Sequence, residues 1–310
     1  MSTVLESQIE FCISHTISGL RRREKQIRDS KMSLPPLLTG KVCAITGGIT
    51  GIGRAIVVTF LSHGASVGVN YLPAHNPSEE TLLSTLRTEA LSAIKQRSPS
   101  TSIKEESEIP LLLIPGDISQ PSTGQGLVSK TVSKFGRLDV FISNAGICRF
   151  AEFLELEHSL FQSHLQTNLS GAFYSVQAAA QYMVKQEPQG GSIIAISSIS
   201  ALVGGAQQTH YTPTKAGVLS LMQSTACALG KYGIRCNALL PGTIRTQLND
   251  QDLPDGSEKK AYMEGRIPIG RLGRPEDLAG PAVFLACGEL SGYVTGASLL
   301  VDGGLFVNLQ

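Results

Sequence analysis

Seven short apolar runs recur along the chain, at 42–46, 65–71, 111–115, 138–144, 192–197, 234–240 and 298–301, with longer stretches of helical period between them. Strand-length runs separated by helix-length segments pair in parallel, because each return to the sheet needs a crossover. The pattern predicts an α/β protein with one doubly wound, seven-stranded parallel sheet flanked by helices, in a single domain. The helices are expected near 53–63, 78–97, 125–135, 156–184, 211–232 and 275–286. Residues 98–108 (SPSTSIKEESE) are polar and contain proline, and read as a surface loop lengthening a crossover.

The first run breaks into Gly47-Gly48-Ile49-Thr50-Gly51-Ile52-Gly53 before a helix begins. Such a turn lets backbone N–H groups approach a pyrophosphate at the positive end of the helix, as in a Rossmann-type nucleotide site. The second strand ends at Asn70, where an acid would accept ribose hydroxyls and repel a 2′-phosphate. A neutral amide does neither strongly, and Arg54 is the nearest cation after the turn. The expected cofactor is therefore NAD or NADP.

The 26 Lys and Arg balance 25 Asp and Glu to a net charge of +1, which leaves no electrostatic footprint for nucleic acid or an anionic membrane. The six cysteines show no CxxC pairing and no zinc-like spacing, so no metal is expected; they read as thiols in a reducing, cytoplasmic compartment. No apolar run approaches the roughly 20 residues of a membrane span. Residues 1–37 carry a basic cluster at Arg21, Arg22, Arg23 and Lys25 and read as an N-terminal extension, disordered or an alternative start, before a domain at 38–310.

Tyr211 and Lys215 stand one helical turn apart on one face. A tyrosine of pKa about 10 is a poor base at neutral pH, and a neighbouring ammonium favours its phenolate. Pro213 lies between them, which places the start of the helix near His210, because proline is accommodated only in the first turn. His210 itself reads as a cap or surface group, outside the catalytic set.

In chain order stand Gly47-x-x-x-Gly51-x-Gly53, Gly116-Asp117-Ile118, Ser143-Asn144-Ala145-Gly146, Asn168, Ser198, Tyr211-x-x-x-Lys215 and Pro241-Gly242-Thr243-Ile244. This set resembles the tyrosine-dependent short-chain dehydrogenase/reductase family, with Ser143 replacing the usual asparagine. The resemblance implies catalysis by Ser198, Tyr211 and Lys215, with Asn168 supporting a proton relay. It places Ile52 beside the phosphates, Asp117 and Ile118 at the adenine, and Asn144, Ala145 and Gly146 under the ribose. Gly242, Ile244 and Thr246 fall at the nicotinamide, and Lys215 also holds its ribose. It further implies a homotetramer, with Leu169, Ala172, Ala178, Ala179 and Ala180 small enough for close helix approach.

Segments 148–153, 200–208 and 246–266 are expected to line the substrate pocket. Their Arg149, Gln207, Gln208, Gln247 and Asn249 suit a polyol or sugar. A 3-oxoacyl thioester reductase shares every catalytic residue and differs in these loops. A non-catalytic dinucleotide-binding regulator is expected to lack Tyr211 or Lys215, and both are present.

Overall fold

The computed structural model describes residues 35–74, 77–250 and 252–308, so the expected extension lies outside the described residues as far as residue 34. The unit Pro36–Gln310 carries every element below. Its strands are β1 (Val42–Ile45), β2 (Ser66–Tyr71), β3 (Leu111–Pro115), β4 (Val140–Ser143), β5 (Gly191–Ile196), β6 (Ile234–Pro241) and β7 (Ser298–Val301). They form one seven-stranded sheet in the order β3-β2-β1-β4-β5-β6-β7, parallel at every pairing. The chain reverses its direction of winding between β1 and β4, and a crevice forms there at the carboxyl ends of the strands.

The principal helices are α1 (Gly51–Ser62), α2 (Pro77–Arg97), α3 (Pro121–Phe135), α4 (His158–His164), α5 (Gly171–Met183), α6 (Thr212–Leu229), α7 (Glu258–Arg266) and α8 (Pro275–Ala286). Strand alternation sends Ile45, Ile142, Ile194 and Leu239 into a core with Ile56, Phe60, Leu86 and Leu285. The other sheet face buries Ala44, Phe141, Ile193 and Ala238 against Leu127, Val176, Met183, Val218 and Met222. A third, smaller cluster of Leu253, Ile267, Leu272 and Leu305 supports the segment after β6.

Three expectations change. The long helix at 156–184 is three pieces, with a π-helical turn, Leu165–Ser170, between α4 and α5. The pocket segment 246–266 ends in α7, whose start Ser257 fixes by accepting from the Lys260 N–H at 3.2 Å. The sequence EKKAYMEGR offers no buried face, so its helical period has no apolar signature to read. The polar loop 98–108 closes with a short 3-10 turn, Glu106–Glu108. Ala172, Ala178, Ala179 and Ala180 are buried in the second core, so the alanines expected to face a partner helix are occupied within the chain itself. Phe173, 44% exposed, is the large side chain that α5 presents outward.

Candidate active site

The glycine turn after β1 needs its glycines for two separate reasons. Gly47 and Gly51 have φ of +65° and +51°, a region that costs other residues strain. A Cβ on Gly53 would sit 2.2 Å from the Gly47 carbonyl oxygen, so any side chain there forces the turn open. Helix α1 then starts with no side-chain bond from its N-cap Thr50 and no acid in its first turn, among the described residues. That end is complementary to an anion, and the turn and helix together fit the pyrophosphate of a dinucleotide. Ile52, partly buried, packs on the first core beside it.

Across the switch point, β1 and β4 are joined through side chains. Thr46 Oγ1 accepts from the backbone N–H of Asn144 at 2.9 Å and of Ala145 at 3.0 Å. Asn144 Nδ2 donates back to the Thr46 and Gly47 carbonyls at 3.0 and 2.8 Å. Gly146 follows, and a Cβ on it would lie 3.2 Å from Asn168 Oδ1 and 3.4 Å from Lys215 Nζ. The cofactor segments and the Tyr-Lys helix therefore meet over the ends of β1 and β4.

Helix α6 begins at Thr212 with Tyr211 as its N-cap and Pro213 in its first turn, as the proline required. The Lys215 N–H donates to the Tyr211 carbonyl at 3.2 Å, so the turn between them is helical. Lys215 Nζ lies 5.6 Å from the centre of the Tyr211 ring and donates to the Ile196 carbonyl at 3.0 Å. Ser197 Oγ donates to the Lys215 carbonyl at 2.8 Å, which anchors the helix to β5. Ser198, one residue on, accepts the Ser200 N–H at 3.0 Å through its Oγ and stands close enough to the Tyr211 phenol to favour its ionised form.

The electrostatics of this pair differ from the simple expectation. Burial raises the Tyr211 phenol well above its ordinary value, the nearby Cys148 adds to the rise, and the Ser198 hydroxyl opposes it. Burial lowers Lys215 from 10.5 to about 8, opposed by Cys148. In the protein alone, burial is the largest influence on both groups, so a phenolate needs a further positive charge beside it.

Asn168 sits in the π turn and is 1% exposed. Its Oδ1 accepts from the Ile147 N–H at 2.8 Å, and its Nδ2 donates to the Ile147 carbonyl at 2.9 Å and to Thr214 Oγ1 at 3.2 Å. Thr214 Oγ1 in turn donates to the Tyr211 carbonyl at 2.7 Å. The amide is thus bonded on both sides to protein and joins three segments of the site.

Other expected cofactor contacts are only partly free. Asn70 Nδ2 donates to the Ile114 and Gly116 carbonyls at 3.3 and 2.9 Å, tying buried Asn70 of β2 to β3. Arg54 is engaged with Glu89, Thr85 and the carbonyls of Ile49 and Leu82, so it braces α1 against α2 instead of waiting for a phosphate. Asp117 is exposed and accepts from the Ser119 N–H at 2.9 Å, while Ile118 is buried. Gly242 packs on Asp302, Ile244 is buried against Gly273, and Thr246 approaches Gly51 across the crevice.

Several polar loop residues also bond within the framework. Asn249 accepts from the Thr246 N–H at 2.9 Å and donates to the Ile244 carbonyl at 2.9 Å. Gln207 donates to Glu152 at 2.6 Å, and Gln208 joins Ser200 Oγ to Cys148 Sγ. Gln247 is exposed.

Two features of the site escape the sequence reading. Cys148 stands close enough to influence both Tyr211 and Lys215. His210, expected as a cap or surface group, is fully buried with His164, their rings in edge contact at 4.3 Å. Only the adjacency of His210 to Tyr211 signals this, since the two histidines are 46 residues apart. The described free thiols are Cys43, Cys148, Cys227, Cys236 and Cys287. Among the described residues no group of three or more His, Cys, Asp or Glu is placed to hold a metal, and no helix is long and apolar enough to cross a membrane.

Comparison with known proteins adds chemistry to this geometry. A family model described as enoyl-(acyl carrier protein) reductase matches residues 47–306. An L-rhamnose-1-dehydrogenase of Scheffersomyces stipitis is 62% identical over 278 residues, spanning 88% of this chain and 99% of that protein. An L-rhamnose 1-dehydrogenase (NAD(P)(+)) of Sphingomonas sp. is 53% identical over 274 residues, again 88% of this chain and 99% of the relative. Among solved structures, a short-chain type dehydrogenase/reductase from Mycobacterium marinum superposes with a TM-score of 0.75 at 32% identity, covering 87% of this chain and 97% of that one.

Proposed function

Because the chain belongs to the short-chain dehydrogenase/reductase family, we propose that it oxidises the C1 hydroxyl of L-rhamnose to the lactone with NAD or NADP. The single observation that carries the sugar is the 62% identity to a dehydrogenase of that substrate across almost its whole length. The segments SIIAISSISALVGGAQQTHYTPTKAG and AYMEGRIPIGRLGRPEDLAGP resemble such enzymes and include the loops around the site.

On this reading Gly47, Gly51, Ile52 and Gly53 hold the pyrophosphate, and Asn70, Asp117 and Ile118 the adenosine end. Asn144, Ala145, Gly146, Gly242, Ile244, Thr246 and Lys215 hold the nicotinamide end. When bound, the oxidised nicotinamide accepts the hydride and adds the positive charge that a buried phenolate needs. Tyr211 takes the proton from the C1 hydroxyl, and Ser198 donates a hydrogen bond to the same oxygen as it becomes a carbonyl. Lys215 supplies charge beside the phenol, and Asn168 holds Ile147 and Thr214 around the proton's way out. The protein acts in carbohydrate catabolism in the cytoplasm, where its thiols stay reduced, and assembles as a homotetramer.

The test is a panel of aldoses with each cofactor, followed by absorbance of the reduced nicotinamide, for the wild type and Tyr211→Phe. The expected result is turnover of L-rhamnose by the wild type, with the variant binding cofactor but slowed by about 10³-fold or more. Reduction of a 3-oxoacyl thioester without any sugar turnover would move the protein to the other branch of the family. Cofactor binding without turnover of any alcohol would make it a regulator.

A further inference from the structure

The segment leaving β4 toward the substrate is gripped twice. Asn168 takes both backbone groups of Ile147. Two residues on, the backbone of Arg149 is taken in the same way by the buried histidines. His164 Nε2 accepts the Arg149 N–H at 3.3 Å, and His210 Nε2 donates to the Arg149 carbonyl at 2.7 Å.

The ring states follow from these partners. His164 Nδ1 lies 2.8 Å from the Leu160 carbonyl, which can only accept, so Nδ1 carries the proton and Nε2 the lone pair. A charged His164 would have no lone pair for Arg149. Burial holds this ring below its ordinary pKa and so keeps it neutral. Neither histidine exposes surface, so neither is a surface binding group.

Between the two grips lies Cys148, partly exposed, near Tyr211 and Lys215 and within 3.7 Å of Gln208 Nε2. The elements that do the gripping are those that carry the chemistry: His164 ends α4 at the π turn bearing Asn168, and His210 immediately precedes Tyr211. A displacement of Arg149 therefore moves the pocket wall relative to the phenol.

We infer that His164 and His210 are positioning residues for the sugar, holding Arg149 between them so that the wall at Cys148 and Gln208 stands in register with Tyr211. The inference rests on the sugar-oxidising reading of this site. It assigns the pair to substrate alignment and not to proton transfer.

The test compares His210→Gln, whose Nε2 still reaches the Arg149 carbonyl, with His210→Phe, which keeps the ring volume and loses the donor. His164→Leu removes the acceptor on the other side. Each is assayed for kcat and KM with L-rhamnose, for NADH affinity by fluorescence titration, and for thermal midpoint. His210→Phe and His164→Leu are expected to lose about tenfold or more in kcat/KM, chiefly through the sugar's KM, with NADH affinity kept. His210→Gln is expected to stay within about threefold of wild type, since the bond survives. The inference is overturned if His210→Phe matches wild type, if His210→Gln is impaired equally, or if NADH binding weakens in step. Should His210→Phe fail to fold, His164→Leu is judged by the same criteria. Failure of the wild type on L-rhamnose would instead sink the functional reading, and the variants would then be compared on whichever alcohol it oxidises.

Discussion

Asn168 holds Ile147 by both its backbone N–H and its carbonyl, at 2.8 and 2.9 Å, from inside a π-helical turn. Replacing it by leucine orphans both backbone groups of Ile147 and removes the donor to Thr214, whose hydroxyl keeps its bond to the Tyr211 carbonyl. Asn168→Leu is expected to lose about 2–4 kcal/mol in urea unfolding, because unpaired buried polar groups cost more than the bonds contribute. Its kcat/KM is expected to fall by about 100-fold through misplacement of the site. Asn168→Asp keeps the acceptor for the Ile147 N–H and is expected to lie between. Unfolding curves and steady-state rates on the same preparations test the order; equal stability of Asn168→Leu and wild type would remove the structural role.

Lys215 has a stability cost that the chemistry justifies. Its pKa falls from 10.5 to about 8 on folding, so between those values the unfolded chain holds a proton that the fold does not. The cost is fully present below pH 8 and is relieved as pH rises to 10.5. Cofactor-free Lys215→Met is therefore expected to be more stable than wild type at pH 7, by on the order of 3 kcal/mol, and to lose turnover. The advantage is expected to shrink steadily above pH 8. Thermal midpoints of both proteins from pH 7 to 10 read this directly; an unchanging gap would contradict it.

His63 behaves as an acid-side counterpart. Its Nδ1 accepts the Leu37 N–H at 3.2 Å, and burial with Arg97 nearby lowers its pKa from 6.5 to about 4. Protonation is easier in the unfolded chain, so stability is full above pH 6.5 and is lost as pH falls from there toward 4. His63→Asn offers an acceptor without titrating. It is expected to remove about 1–3 kcal/mol of that pH dependence, measured as unfolding free energy at pH 7 and 4.5.

Two glycines are expected to respond oppositely to alanine. Gly53→Ala meets backbone at 2.2 Å and should abolish cofactor binding or folding. Gly126 lies inside α3, where a Cβ would meet nothing within 4 Å among the described residues, and should gain about 0.5–1 kcal/mol as alanine. Calorimetry and NADH titration on the two variants separate a glycine required by contact from one that is merely helical.

The sheet is legible in the sequence because its signal is local. The central strands are short apolar runs buried on both faces, and the glycine turn marks the first crossover. Tyr211 and Lys215 are legible together because a single turn joins them, and Pro213 locates the start of that turn. Asn70 and Arg54 show the opposite case. Both stand where a cofactor contact belongs, and both turn out to bond heavily to neighbouring elements that sequence order does not place beside them. The histidine pair is invisible for the same reason, since neither ring's Arg149 partner lies near it in sequence. Helix α7 lacks an apolar stripe, and the π turn has no composition of its own.

That π turn makes the site sensitive to chain length in a way that side-chain chemistry does not reveal. Deleting one residue from Leu165–Ser170 would let an ordinary helix run from His158 to Met183 with the core face of α5 intact. The i→i+5 bonds of a π turn hold one residue more than an α turn does, so the deletion would leave α4 and α5 close to their present register and take away the widened turn that carries Asn168. The double hold of Asn168 on Ile147 would be reset while the sheet stayed whole. A lineage could thus change the site through a single codon deletion, without replacing any residue of the Tyr-Lys pair.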